Sequence, residues 1–259
     1  MKRKEICTII AQNEIAESIY ELTIHAELTK DITSPGQFVH IKVSNSLDPL
    51  LRRPISISSF DREKQQVTMI YRKDGKGTSL LAEKTPGMEI DVLGPLGNGF
   101  PLAETNVGET ALLVGGGVGV PPLFELSKQL KAKGAKVIHV LGFQTASAIF
   151  YENEFLQNGE TYVATVDGTH GAKGFVTDVI TEKNIHFDCL YACGPIPMLK
   201  ALEQRFPDKK VYLSLEERMA CAVGACFACV HKCADDTQGV SYKKVCSDGP
   251  VFRAGEVIL

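Results

Sequence analysis

The chain has 259 residues, a formal charge of −3 at pH 7 and 44% hydrophobic residues, which is enough apolar material for the cores of two or more domains. The small net charge predicts neither a nucleic-acid partner nor an anionic membrane surface. No apolar run reaches the roughly 20 residues that a membrane span needs, and the apolar stretch after the charged start is too short for a secretory signal, so we expect a cytoplasmic protein.

Residues 1–102 predict an antiparallel β-barrel. Turn signals such as Pro35-Gly36 and Asp74-Gly75 separate short runs in which apolar and polar residues alternate, including "QFVHIKV", "RPISISSF" and "QVTMIYRK". Period-two alternation with regularly spaced turns is typical of antiparallel sheets and small barrels.

Residues 103–212 predict an α/β domain built on a parallel sheet. Buried strands are indicated by "ALLVGGG", "KVIHVLGF" and "DCLYACG", and helices by "PPLFELSKQLKAKG" and "IPMLKALEQRF". Alternating strands and helices form parallel sheets with helical crossovers. Residues 213–259 are short and rich in cysteine, so we expect a small subdomain that depends on a metal for its stability.

Two motifs lie at the ends of predicted parallel strands, where open sheets bind ligands. The first has four glycines before a helix, Gly115, Gly116, Gly117 and Gly119. Glycines there let dinucleotide phosphates approach the backbone N–H groups at the helix start, although a tight turn would need the same residues. The second is Cys193 followed by Gly194-Pro195. This turn would hold the thiol at the mouth of the crevice, unless Cys193 is a buried structural cysteine.

Arg53 lies just before a strand in which Ser56 follows three residues later. An arginine can bind a pyrophosphate through two parallel hydrogen bonds, and a nearby serine can hydrogen-bond a ring or a sugar. Surface arginines are common, so this pair alone is weak evidence for a nucleotide site.

The cysteine-rich segment predicts an electron-carrying metal centre. Stable disulfides are uncommon in a reducing compartment, which favours metal ligation. Cys221, Cys226 and Cys229 have the C-x₄-C-x₂-C spacing of plant-type 2Fe–2S ligation, with Cys246 as the expected fourth ligand. Cys233 competes for that place, and zinc or a 4Fe–4S cluster are the alternative occupants.

The motifs together resemble those of the electron-transfer subunits of dihydroorotate dehydrogenase B, within the ferredoxin–NADP reductase superfamily. The resemblance extends over essentially the whole chain. The segments that carry it occur in the family's order, namely "RPIS", "YRKDGKGTSLL", "GPLGNGF", "GGGVGVPPL", "CGPIPM" and "LEERMACAVGACFACV".

This resemblance implies the cofactors and their residues. FAD would lie between the barrel and the α/β domain, NAD(H) would bind as substrate, and a 2Fe–2S cluster would bind Cys221, Cys226, Cys229 and Cys246. The implied flavin residues are Arg53, Pro54, Ile55, Ser56, Ile70, Tyr71, Arg72, Gly77 and Thr78. The implied nicotinamide-nucleotide residues are Gly115, Gly116, Gly117, Gly119, Gly194 and Pro195, with Cys193 beside the nicotinamide as the catalytic residue. Many relatives have glycine where this chain has Ala222.

The implied function is electron transfer in pyrimidine biosynthesis. Electrons would pass from the FMN of a dihydroorotate-oxidising catalytic subunit through 2Fe–2S and FAD to NAD⁺, in a heterotetramer with two copies of each subunit. We expect NAD rather than NADP because residues 141–160 contain no Arg or Lys for a 2′-phosphate.

Two other functions compete with this one. The chain could be the small subunit of another flavin and iron–sulfur complex, such as an NADH-dependent ferredoxin:NADP oxidoreductase. It could also be a nucleotide-responsive binding module whose cysteines hold structural zinc.

Overall fold

The structure is a computed structural model that describes residues 2–236 and 238–259. Its N-terminal part is a closed antiparallel barrel with the strand order β1-β2-β5-β4-β3-β6. A short helix, α1 (Lys76–Ala82), follows the fifth strand. The barrel strands are β1 (Arg3–Ala16), β2 (Ile19–His25), β3 (Phe38–Lys42), β4 (Arg53–Asp61), β5 (Gln66–Arg72) and β6 (Glu89–Leu96).

The predicted alternation explains which strand faces fill the barrel. Val39 and Ile41 of β3 point into its core, together with Ile57 of β4 and Met69 of β5. Phe38 belongs instead to the core of the α/β domain. The barrel therefore packs on the second domain through the outward face of β3.

The α/β domain has helices on both faces of a largely parallel sheet, as predicted. The sheet order is β10-β9-β8-β7-β11-β12-β15, and the first six of these strands run parallel. The strands are β7 (Thr110–Gly116), β8 (Lys136–Phe143), β9 (Glu160–Thr165), β10 (Ala172–Lys173), β11 (Cys189–Cys193), β12 (Lys210–Ser214) and β15 (Val251–Arg253). The helices are α2 (Pro122–Lys133), α3 (Glu152–Leu156), α4 (Val176–Glu182) and α5 (Ile196–Arg205).

Helix α2 begins and ends as its sequence predicts. Two prolines open it, Pro121 at the N-cap and Pro122 at the first position, where a proline lacks no intrahelical hydrogen bond. Gly134 ends the helix with a left-handed φ of 91°, and its N–H reaches back to the carbonyls of Leu130 and Lys131.

The cysteine-rich segment has no core of its own. It contains a small hairpin of β13 (Val230–Lys232) and β14 (Tyr242–Lys244). Most of its buried apolar residues, among them Cys229 and Cys246, belong to one hydrophobic core of the parallel sheet. Residues 251–253 of this segment also pair with β12 as the antiparallel edge strand β15. The segment is thus attached to the α/β domain through both its core and its backbone.

Candidate functional site

A cavity of about 500 Å³ lies where the barrel meets the residues that follow β12. One wall comes from β4 and β5, and the other from residues 214–219 with Pro250. Seven residues predicted for flavin binding line it, namely Pro54, Ile55, Ser56, Ile70, Tyr71, Arg72 and Thr78. These residues lie at the junction where the resemblance implies that FAD binds.

Arg53 and Gly77 lie at the edge of this cavity and fit against each other. A Cβ atom on Gly77 would overlap the guanidinium of Arg53, so only glycine leaves room for that side chain. Arg53 also donates through Nη1 to the carbonyl oxygen of Leu51 over 2.6 Å. The guanidinium is held beside Thr78, which lines the cavity, and it carries the positive charge that a pyrophosphate requires.

A second cavity, of about 570 Å³, lies at the carboxyl ends of the parallel strands. Five of the six residues predicted for the nicotinamide nucleotide line it, namely Gly116, Gly117, Gly119, Gly194 and Pro195. The sixth, Gly115, is in β7 outside the lining, and a Cβ there would meet Val120 at 2.7 Å. Gly115 is therefore required for packing between β7 and the start of α2.

The two glycine-containing loops of this cavity touch each other. A Cβ on Gly119 would overlap the carbonyl of Cys193, and a Cβ on Gly116 would meet Pro195 Cδ at 2.8 Å. A Cβ on Gly117 would meet no atom within 4 Å. Gly117 thus leaves backbone accessible to a ligand, whereas Gly116 and Gly119 also bring the loops together.

Cys193 is buried, with 1% of its surface exposed. Burial raises the pKa of its thiol, and the negative charge of Glu216 raises it further. The thiol does not line the cavity, although its neighbours Gly194 and Pro195 do. The thiol therefore lies behind the cavity wall, and not at the mouth of the crevice that the sequence predicted. Side chains alternate between the two faces along β11, and that of Cys193 faces the core beneath α2.

Three residues line both cavities, Arg72, Val118 and Glu216. The two cavities are therefore contiguous. A ligand bound in one cavity can contact a ligand bound in the other beside these three residues. Glu216 lies in the crevice between the two cavities and is exposed to solvent. Desolvation by the surrounding protein raises the pKa of its carboxyl group, and the positive charge of Arg72 opposes the shift.

Glu216 and Met219 line the cavity beside β4 and β5 but are absent from the sequence prediction. Both follow the carboxyl end of β12, the edge at which parallel sheets bind ligands. That position was the available signal. It was missed because the strand "KVYLS" was not identified, so "LEERM" was assigned to the cysteine segment.

Cys221 and Cys226 lie in one tight loop. The backbone N–H of Cys226 donates to Cys221 Sγ over 3.4 Å. Burial alone would raise the pKa of Cys221, but hydrogen bonds from backbone N–H groups, including those of Val223 and Ala225, lower it to about 6. These donors stabilise a thiolate, the form in which cysteine binds a metal.

Cys229 and Cys246 lie side by side at one end of the β13–β14 hairpin. Val245 donates its N–H to the Cys229 carbonyl over 2.8 Å, and burial with the adjacent Cys229 thiol raises the pKa of Cys246 to about 12. Cys233 lies beyond the other end of β13, where it pairs with Val257. Four residues of extended chain separate it from Cys229, roughly 13 Å. The hairpin therefore favours Cys246 over Cys233 as the fourth ligand.

The loop between the first two cysteines requires an unusual backbone. Ala222 has a φ of +56°, in the left-handed region, and its side chain is buried. Glycine would adopt this conformation without the steric cost that the Cβ of an alanine carries. Within residues 2–236 and 238–259, no three Cys, His, Asp or Glu side chains surround one point closely enough to hold a single metal ion.

The sequence was compared with family models and with curated proteins. The model for the "Iron-sulfur cluster binding domain of dihydroorotate dehydrogenase B" matches residues 216–258, and that for the "Oxidoreductase NAD-binding domain" matches residues 113–204. The electron transfer subunit of dihydroorotate dehydrogenase B (NAD(+)) from Geobacillus sp. (strain WCH70) is 62% identical over the full length of both chains. The chain belongs to this family. The counterpart from Bacillus cereus (strain B4264) is 60% identical, again over both full lengths.

Solved structures confirm the fold class. The structure of an NADH-dependent reduced ferredoxin-NADP oxidoreductase superposes with a TM-score of 0.86 at 32% identity, covering 98% of this chain and 90% of that one. A ferredoxin NADP⁺ reductase from Neisseria gonorrhoeae, solved with bound FAD and NADP, has a TM-score of 0.67 at 14% identity, covering 79% and 91%. The second likeness shows the fold alone.

Membership of the dihydroorotate dehydrogenase B family confirms several predictions. The chain is an NAD-linked electron-transfer subunit with an iron–sulfur cluster-binding domain, and its family works with a catalytic partner subunit. The cluster-binding family model covers the cysteine segment, which favours an iron–sulfur cluster over structural zinc. No helix in the described part of the chain is long and apolar enough to cross a membrane.

Proposed function

We propose that FAD occupies the cavity between β4, β5 and residues 214–219, with its pyrophosphate on Arg53 and its ring near Ser56. Bound there, FAD would exchange a hydride with nicotinamide and single electrons with an iron–sulfur cluster. The chain's own residues provide the charge of Arg53, the open backbone at Gly77 and an apolar wall that includes Ile70.

The NAD(H) site is proposed in the cavity at the ends of β7 and β11. Gly117 offers backbone to the phosphates, and Gly194 with Pro195 forms part of the cavity wall. Among the described residues that line this cavity, Arg72 is the only cation, and it faces the flavin side. This lining suits a free ribose better than a 2′-phosphate, in agreement with the preference for NAD.

The observation that carries this proposal is the shared wall of the two cavities. Arg72, Val118 and Glu216 face both, so a nicotinamide ring and a flavin ring can meet without a large domain movement. Hydride transfer requires such proximity of the two reacting rings. Cys193 would act from behind this wall by supporting Gly194, which makes it a positioning residue in our proposal.

A 2Fe–2S cluster is proposed on Cys221, Cys226, Cys229 and Cys246. The loop N–H groups that reach Cys221 suit negatively charged sulfur. Cys246 and Pro250 lie in one turn, and Pro250 lines the flavin cavity. The cluster and the flavin would therefore be neighbours. In this scheme residues 1–102, 103–212 and 213–259 serve FAD, NAD and the cluster, respectively.

The proposed partner is an FMN-containing catalytic subunit that oxidises dihydroorotate, in a cytoplasmic heterotetramer with two copies of each chain. Electrons would run from that FMN to NAD⁺, and the present chain would hold the intermediate carriers. The second candidate partner is a large ferredoxin-oxidising flavoprotein. It is favoured by the TM-score of 0.86 with the ferredoxin-NADP oxidoreductase structure. The 62% identity to the Geobacillus subunit supports the first.

Co-expression with each class of partner tests the proposal. The chain should co-purify with the dihydroorotate-oxidising subunit and make reduction of NAD⁺ by dihydroorotate possible, with NADP⁺ a much poorer acceptor. Stable association only with a large ferredoxin-oxidising flavoprotein would overturn the assignment in favour of the second candidate.

A further inference from the structure

The segment "GPLGNGF", residues 94–100, lies outside the linings of both cavities. It contacts the turn that follows Cys246. The side-chain amide of Asn98 donates to the carbonyl oxygens of Ser247 and Asp248, each over 3.0 Å. The backbone N–H of Asn98 donates to the Gly249 carbonyl over 2.7 Å. One residue of the barrel segment thus binds three successive carbonyls of this turn.

Gly97 allows this close approach. It has a left-handed φ of +72°, and a Cβ there would lie 2.5 Å from Pro250 Cδ and 2.9 Å from Phe38 Cε1. Any side chain would push the turn away from the barrel. Phe38 and Pro250 both line the flavin cavity, so the contact lies directly behind its wall.

The turn is held by its own hydrogen bonds, and the described hydrogen bonds include no other partner for those carbonyls. The N–H groups of Ser247, Asp248 and Gly249 all donate to the Lys244 carbonyl, and Lys244 N–H donates to Asp248 Oδ2 over 2.6 Å. The Lys244 ammonium donates to the Gly224 carbonyl over 2.6 Å, which joins the turn to the loop of Cys221 and Cys226.

We propose that Asn98 is a positioning residue for electron transfer. By binding the turn that contains Cys246, it fixes the cluster-binding loops against the barrel and sets their separation from the flavin cavity. This inference rests on the proposed function, specifically on Cys246 as a ligand and on FAD in the barrel cavity. Electron tunnelling falls steeply with distance, so a site of this kind must be held by the contacts around its ligands.

Two substitutions separate the donor function of Asn98 from its shape. Asn98→Asp keeps the size of the side chain but replaces its N–H donors with a carboxylate that faces carbonyl oxygens. Asn98→Ala removes the side chain and retains the backbone bond to Gly249. The control is Asn158→Ala, because the side-chain amide of Asn158 also donates to a backbone carbonyl, that of Glu154 over 3.0 Å, but Asn158 lies outside both cavity linings.

Four measurements are made on each purified, cofactor-loaded chain. They are the iron, sulfide and FAD content, the stopped-flow rate of flavin reduction by NADH, the rate of cluster reduction that follows it, and hydrogen exchange of residues 244–250. The Asn98 variants should keep their cofactors and the flavin rate. We expect exchange in 244–250 to rise on the order of five-fold or more as the turn opens, and cluster reduction to slow, more so for Asn98→Asp.

Wild-type exchange and wild-type cluster reduction in both Asn98 variants would overturn the inference, as would equal changes in Asn158→Ala. Cys246→Ser, prepared in parallel, separates this failure from failure of the proposed function. If Cys246→Ser keeps its cluster, the ligand assignment is wrong and the inference fails with it. If that variant loses the cluster while the Asn98 variants behave as wild type, only the inference fails.

Discussion

Val245 donates its backbone N–H to the carbonyl oxygen of Cys229 over 2.8 Å, and this hydrogen bond places Cys246 beside Cys229. The same hairpin carries Cys233 to its opposite end, where its backbone N–H donates to Ser241 over 3.1 Å. The register of this hairpin, which has three residue pairs, therefore favours one of two cysteines that the spacing alone did not separate.

The first prediction concerns these two cysteines. Cys246→Ser should lose the cluster, because serine replaces a thiolate that is fully buried next to Cys229. Cys233→Ser should retain it and serves as the matched control. Iron and sulfide assays with the electron paramagnetic resonance signal of the reduced protein measure both. Loss of the cluster only in Cys233→Ser would mean that the other end of the hairpin holds the ligand.

Cys226→Ser should separate two activities. The cluster-binding loop is built from residues 221–246, whereas the flavin cavity is lined by β4, β5, residues 214–219 and Pro250, which all lie outside that range. FAD should therefore remain bound when the cluster is lost. NADH-dependent reduction of artificial acceptors that accept electrons from flavin should persist, and transfer to the catalytic subunit should fail. Full activity with that partner would contradict the proposed order of the carriers.

Arg53→Ala should weaken FAD binding about ten- to hundred-fold, the range expected for losing charge-assisted hydrogen bonds to a phosphate. Arg62→Ala is the control, since Arg62 lies in the same barrel and donates to the Ile32 carbonyl over 2.7 Å but does not line the cavity. Titration of the flavin-free chains with FAD gives both dissociation constants. Equal affinity in the two variants would remove Arg53 from the site.

His139 makes stability dependent on pH. Its ring nitrogens contact the hydroxyls of Ser127 at 2.7 Å and Thr161 at 2.9 Å, and burial lowers its pKa to about 3. Because the unfolded chain protonates this histidine near pH 6.5 and the folded chain does not, stability is present above that pH and falls as the pH falls towards the folded pKa. Between pH 8 and pH 6 the loss from this residue is about 0.8 kcal/mol.

The comparison variant for this effect is His139→Gln, which should be less stable at pH 8 and should lack that part of the pH dependence. His25→Gln, at an exposed position in the barrel, should keep it. Unfolding in urea at the two pH values measures the difference. An unchanged pH dependence in His139→Gln would show that the buried ring is not responsible.

Local pattern predicted most of the architecture. The strand at residues 136–143 and the helix at 196–205 were both expected from their patterns, because apolar periodicity and flanking glycines or prolines are properties of the segment itself. The pairing of β15 with β12 was not predicted. It depends on contacts between residues about forty positions apart, and a three-residue strand carries too little pattern to indicate its partner.

The candidate site shows the same division between features that follow from local pattern and features that depend on long-range packing. Motif residues such as Ser56 and Gly117 line cavities as expected, because each motif fixes a local backbone shape. Glu216 was missed because the strand before it was not identified. The burial of Cys193 was one of two alternatives that the sequence left open, and the structure decides it because burial depends on how β11 packs beneath α2. Cys246 was the expected fourth ligand from the sequence, and the hairpin register supports it over Cys233.

The most direct test of the account is a visible spectrum of anaerobically purified protein, with iron, sulfide, zinc and flavin assayed on the same sample. The account predicts flavin bands with broad iron–sulfur absorption, and about two irons and two sulfides for each FAD. Zinc in the cysteine segment with no bound flavin would contradict it.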